Sequence, residues 1–159
     1  MAKPSRIDRL TRNVTRDVVE HPRDLTKFYS TREVITRAAA ARYVLQLERE
    51  GWIARSGPST HPVFSPGYKR RVSKVYPISG LEEDVIWHQD FRPYLNLSSN
   101  VTNIAAHGFT EMVNNAIDHS DGSSVFVSLT QDEKSLTLAV SDNGVGIFEK
   151  ISKALNLAD

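Results

Sequence analysis

The spacing of apolar residues changes period along the chain, and each change marks an element. Ile7, Leu10, Val14 and Val18 recur at helical intervals behind Ser5 and Asp8, a capping-box variant, so a first helix from Arg6 to Glu20 is predicted, ended by Pro22. Asp24 is placed to cap a second, shorter helix holding Leu25 and Phe28. A turn near Glu33 to Ile35 leads to a third helix capped by Thr36, with Ala40, Val44 and Leu47 inward, Arg37, Ala41 and Arg42 on other faces, and Gly51 at its end. A rival pattern takes Ser30 and Glu33 as a capping box and runs one helix from Thr31 to Glu50. The period then shortens. Trp52 to Arg55 and Val63-Phe64 read as short strands around Ser56-Gly57-Pro58-Ser59-Thr60-His61-Pro62, a loop dense in turn formers.

The second half repeats the change in reverse. Val72 to Ile78 alternates as an edge strand does, with Pro77 ending it. Leu81 to Tyr94 carries Val85, Ile86, Trp87 and Phe91 in a helical pattern behind Glu82, Glu83 and Asp84, acids that suit a helix N-terminus, and Pro93 ends it. Ser98 or Ser99 caps a long helix to about His119, with Val101, Ile104, Ala105, Phe109, Met112 and Ala116 expected inward. Gly108 inside it costs about 1 kcal/mol relative to Ala, which points to close packing or ligand approach there. Asp121-Gly122 is a turn. Val125, Val127 and Leu129 then alternate on one strand and Leu136, Leu138 and Val140 on its partner, joined by Gln131 to Lys134. Phe148 to Asp159 has a helical look.

Composition adds a division that the pattern alone does not show. The 159 residues are 40% apolar and 25% charged, which is globular, and the net charge is +1. From Met1 to Tyr76, however, 16 Lys and Arg face 7 Asp and Glu, a net of +9, and from Pro77 to Asp159 4 face 12, a net of −8. Such a split argues for two domains with different partners, the first suited to a polyanion, unless the halves serve only to attract each other. Disulfides and thiolate zinc sites are excluded, since there is no Cys, and a reducing cytoplasm is the expected setting. No apolar run is long enough to span a bilayer, so no membrane partner is expected.

Two short motifs carry chemistry. In Glu111-Met112-Val113-Asn114-Asn115-Ala116-Ile117-Asp118-His119, a helix puts Glu111, Asn115 and Asp118 on one face and turns Met112, Ala116 and Ile117 toward a core. A carboxylate one turn before a carboxamide can orient a nucleophile, while the carboxamide oxygen takes a magnesium position beside phosphate oxygens. In Ser141-Asp142-Asn143-Gly144-Val145-Gly146-Ile147, Asp142 offers an acceptor for an exocyclic amino group such as adenine's. Gly144 and Gly146 permit close backbone approach or positive φ. Either motif alone has a bland reading, as ordinary helix-surface pairing or as a turn.

In this order, with a hairpin between them, they resemble the GHKL family, the ATPases that include DNA gyrase, heat-shock chaperones and histidine kinases. Glu111-x-x-x-Asn115-Ala116 matches its N-box and Asp142-x-Gly144-x-Gly146-Ile147 its first glycine box. The resemblance implies ATP and magnesium as cofactors, Glu111 as base or water orienter, Asn115 as magnesium ligand and Asp142 on adenine. Asp118 matches a carboxylate of some members only. His119 reaches phosphate or meets the helix dipole. The flavour of the first motif is closest to anti-sigma serine kinases. The family's later glycine boxes, its lid and its last strands have no counterpart, so this chain is expected neither to hydrolyse ATP nor to bind it tightly by itself.

The expected fold class is thus α+β: an N-terminal winged helix-turn-helix at residues 1–66, a basic linker and first strand at 67–76, and at 77–159 a partial GHKL (Bergerat-type) α/β sandwich. The first sixty-odd residues resemble bacterial winged helices of transcription regulators, although that family usually has Gly where Val34 stands. If it binds DNA, Arg37 and Arg42 meet bases or phosphates, and Arg55 and His61 on the wing touch the backbone or minor groove. The alternative is a protein partner. Lys69 to Arg71 is by default an exposed linker. The function expected is an ATP-binding regulator with a DNA-binding winged helix, or a serine or histidine protein kinase whose winged helix binds protein; a homodimer is compatible with both.

Overall fold

The computed structural model describes residues 4–144, a mixed α/β chain with a two-stranded and a three-stranded sheet. Among them two compact units form: one runs to Val72 and takes in Leu129–Thr137, and the other comprises Ser73–Ser128 and the chain from Leu138.

In the first unit the capping box forms as the residue types require. Asp8 N donates to Ser5 Oγ (3.2 Å) and Ser5 N to the Asp8 carboxylate (3.0 Å). The helix that follows is not continuous, however. It breaks into α1 (Arg6–Thr11) and α2 (Val14–Glu20) at Asn13, which leaves helical geometry at φ −129° and holds the N-cap position of α2 without a side-chain capping bond. Next, α3 (Leu25–Arg32) starts after Asp24. That carboxylate makes no capping bond and instead meets His21 Nδ1 at 3.2 Å. The rival helix from Thr31 to Glu50 does not form, because the chain turns at Val34, which takes φ +52°. Ser30 Oγ donates to the Ile35 carbonyl (2.7 Å), and Thr36 Oγ1 accepts from Ala39 N (3.2 Å) to start α4 (Arg37–Arg49). As expected from the pattern, Ala40, Val44 and Leu47 are buried.

Gly51, at φ +82°, ends α4, and a side chain there would run into the Tyr68 ring. Strands β1 (Ile53–Ser56) and β2 (Val63–Pro66) pair antiparallel, Ile53 opposite Pro66 and Ser56 opposite Val63. Leu10, Val14, Val18, Leu25, Tyr29, Ala40, Val44, Leu47, Ile53 and Phe64 make one core. At its edge the Asp17 carboxylate, 5% exposed, accepts from Tyr29 Oη (3.1 Å) and pairs with Arg32 Nη1 (2.8 Å). Arg70 and Arg71, expected in a linker, begin β3 (Arg70–Pro77), and Arg71 N donates to the buried Thr15 Oγ1 at 2.8 Å.

In the second unit, the segment from Leu81 to Tyr94 is three short pieces instead of one helix: α5 (Glu83–Ile86), a π-helical turn over Trp87–Phe91 and a 3₁₀ turn over Arg92–Tyr94 with Pro93 inside. The widened turn keeps Ile86, Trp87 and Phe91 all buried, and Trp87 and Phe91 each stand 5.2 Å from Phe109, centroid to centroid. Phe109 belongs to α6 (Ser99–His119). Ser98 holds the cap position but its hydroxyl makes no capping bond. Strands β4 (Ser124–Gln131) and β5 (Leu136–Asp142) follow, and the three-stranded order is β3-β4-β5. Val125, Val127 and Leu129 are buried, while β5 is only half covered.

The buried face of α6 agrees with expectation at Phe109 and Ala116 and differs from it beside them. Phe109, Val113 and Ala116 are buried, whereas Val101, Ile104 and Met112 are 40%, 66% and 40% exposed. Several apolar stripes fit a 21-residue helix of this composition, and packing against the aromatic cluster selected the one through Phe109. Nor is Gly108 closely packed. A methyl group there would meet no atom within 4 Å.

Candidate nucleotide site

The exposed face of α6 carries the first motif. Glu111, Asn115 and Asp118 are all exposed, one and two turns apart, and none has a hydrogen-bond or ion-pair partner among the described residues. Asn114 lies off that face and donates to the Glu83 carboxylate (3.3 Å), tying α6 to the start of α5. His119 occupies the last turn, where a positive charge meets the helix dipole.

The second motif reaches the same end of α6. Asp142 is the last residue of β5, and its Oδ1 accepts from Gly144 N (2.9 Å), which leaves Oδ2 without a partner among the described residues. Gly144 does not take positive φ, and its missing side chain serves packing: a methyl group there would collide with the Ser120 carbonyl directly after α6. Gly122 is equally constrained, since a side-chain carbon would stand 2.7 Å from Asn143 Oδ1 and 2.8 Å from Gly144 N. The C-terminus of α6 and the end of β5 are therefore in contact through two glycines. Gly146 and Ile147 lie outside the described residues, as does the helical-looking tail from Phe148.

Asn143, Ser120 and Ser123, which ligand chemistry alone does not single out, tie the end of β5 to the turn after α6. Asn143 Oδ1 accepts from Ser123 N and Ser124 N, both at 2.9 Å, and its Nδ2 donates to Ser123 Oγ (3.0 Å). The signal available was an Asn beside a Gly opposite Gly122-Ser123, a side chain able to donate and accept at a strand end.

Residues 100–156 match the family described as histidine kinase-, DNA gyrase B- and HSP90-like ATPases. This stretch is similar to a GHKL ATPase. The match spans α6, the β4–β5 hairpin and both motifs, and it supports an ATP-binding module here. No curated protein and no solved structure gives a significant match to the chain.

The remaining expected site residues belong to the first unit. Arg37 and Arg42 are exposed on α4 with no ion pair among the described residues. Arg55 differs: its guanidinium holds the Glu48 carboxylate through two bonds of 3.2 and 2.9 Å. His61 is exposed in the β1–β2 loop, 3.1 Å from Thr60 Oγ1. Among the described residues no helix is long and apolar enough to cross a membrane, and no group of three or more His, Asp or Glu is arranged to hold a metal ion. Magnesium is commonly held by one or two protein oxygens together with phosphate and water oxygens, so Asn115, exposed and without a side-chain partner among the described residues, fits that use.

Proposed function

We propose that the second unit belongs to a GHKL module that binds ATP and that the first is a winged helix-turn-helix through which nucleotide state regulates DNA binding. The contact of Gly144 with the Ser120 carbonyl carries the nucleotide reading, because it brings Asp142 to the end of the helix that bears Glu111, Asn115 and Asp118. In this reading Asp142 accepts the adenine amino group at Oδ2, and its Gly144 bond holds the carboxylate in orientation. Asn115 presents its carboxamide oxygen toward the phosphates, Glu111 orients the nucleophile one turn before it, and His119 stands at the phosphate end. Magnesium, when bound, offsets triphosphate charge that the acids of this half would otherwise repel.

The test is an amide NMR titration of the chain with magnesium and ATP. Shifts centred on Asn115, Asp118, Asp142 and Gly144, lost in Asp142→Ala, are expected. A titration to millimolar ATP that leaves these resonances unmoved would overturn the reading.

For the first unit, Arg37 and Arg42 on α4 contact DNA and His61 approaches the backbone from the wing. The Glu48 carboxylate competes with phosphate for Arg55, and a protein partner is the second reading. Salt separates the two: DNA affinity that falls steeply with salt, with a shallower slope in Arg37→Ala/Arg42→Ala, supports DNA, and no measurable affinity at low salt supports protein.

A further inference from the structure

We propose that Asn143 is the positioning residue of the nucleotide site: its carboxamide sets where Asp142 stands relative to the end of α6, and through it relative to Asn115 and Glu111. The inference rests on the nucleotide reading above.

Asp142 ends a strand whose inner face (Leu136, Leu138, Val140) is only half-buried and whose outer face is exposed, so the sheet alone gives its carboxylate little fixity. The next residue supplies it. Asn143 N donates to the Ser124 carbonyl (3.2 Å), Oδ1 accepts two backbone N–H groups, and Nδ2 donates to the Ser123 hydroxyl, so one residue makes four bonds to two neighbours at the start of β4. Those neighbours follow directly on the Ser120–Gly122 turn, in which Gly122 N donates to Ser120 Oγ at 3.0 Å and Ser120 is buried. Gly122 and Gly144 have no side chains to hold the two segments apart. The position of Asp142 is thereby referred to α6 and not only to the rest of β5.

A surface Asn with no special contacts is replaced at little cost, whereas this one is the acceptor for two main-chain donors. The chemistry also says which replacements keep the tie. In Asn143→Asp one carboxylate oxygen still accepts from Ser123 N and Ser124 N, and the other accepts from the Ser123 hydroxyl. Asn143→Leu keeps the branched outline, at larger volume, and loses all three side-chain bonds while retaining the main-chain bond to Ser124.

The experiment measures amide hydrogen exchange at Ser123 and Ser124 together with magnesium-ATP affinity in the wild-type chain, Asn143→Leu and Asn143→Asp. The expected result is that Asn143→Leu loses protection at both amides and weakens ATP about tenfold, while Asn143→Asp restores protection and most of the affinity. If Asn143→Leu loses protection yet binds ATP as the wild type does, the residue is a structural tie only and the proposal fails. Protection unchanged in Asn143→Leu overturns the tie itself. Absence of ATP binding in the wild type overturns the nucleotide reading, and the positioning role with it, whatever the amides show. Should Asn143→Leu not fold, Ser123→Ala, which deletes only the hydroxyl that accepts from Nδ2, takes its place: affinity about threefold weaker supports the proposal and unchanged affinity overturns it.

Discussion

Gly144 and Gly122 share a small volume with the Ser120 carbonyl, which leaves neither position room for a methyl group. Gly144→Ala should therefore destabilise the chain by about 1–3 kcal/mol in denaturant unfolding, as overpacking against backbone does. Gly108 gives the opposite expectation. With open space around it inside α6, Gly108→Ala should stabilise by about 1 kcal/mol through helix propensity, read as a higher urea midpoint at unchanged slope. At Asp17, burial raises the carboxyl above its ordinary value, against the pull of Arg32. A raised folded value means the folded chain holds the proton more tightly. The associated stability is full below the unfolded value of about 3.9 and is lost as pH rises through the folded one. Carboxyl NMR should place the Asp17 midpoint above that of an unstructured Asp. Asp17→Ala, which strands the Arg32 and Tyr29 donors, should cost about 2 kcal/mol at neutral pH.

Among the elements, the turn between α3 and α4 shows a fold overriding its own residue. Val34 is β-branched, holds φ +52° and is 90% exposed, so nothing packs in return for the strain. Val34→Gly should raise the melting temperature, with a gain of about 1 kcal/mol once the added chain entropy of Gly is set against the relieved strain. The turn survives because Ser30 and Thr36 bond the backbone on both sides of it and Ile35 packs against the core. Helix α6 shows why an inward stripe is harder to read than a helix. Its length and ends followed from the pattern. Its rotation follows only in part: the pattern puts Phe109 and Ala116 inward, as found, but it also puts Val101, Ile104 and Met112 there, which packing against Trp87 and Phe91 leaves exposed.

At the scale of the whole molecule, the separation of charge remains the strongest guide to partners: +9 up to Tyr76 and −8 beyond it. A polyanion on the basic half and a magnesium-neutralised nucleotide on the acidic half are consistent with that balance. Pairing within the basic half reduces what is available, since Glu33 meets Arg9 at 3.1 Å and Glu48 meets Arg55. The DNA contribution of Arg55→Ala should thus be smaller than that of Arg42→Ala in a filter-binding series at fixed salt.

By itself the sequence determined the elements whose cause is local: the Ser5–Asp8 box, the Thr36 cap, the Gly51 stop, the alternating strands, and the face shared by Glu111, Asn115 and Asp118. Each follows from residues a few positions apart, where period and hydrogen-bonding geometry leave few alternatives. Tertiary structure decided which stripe of α6 is buried, that the segment after Leu81 takes a π turn, that Arg55 is engaged by Glu48, and that Asn143 joins the end of β5 to the turn after α6. Those outcomes depend on partners from seven positions away (Glu48 and Arg55) to twenty-two (Trp87 and Phe109), and only packing brings such partners into contact.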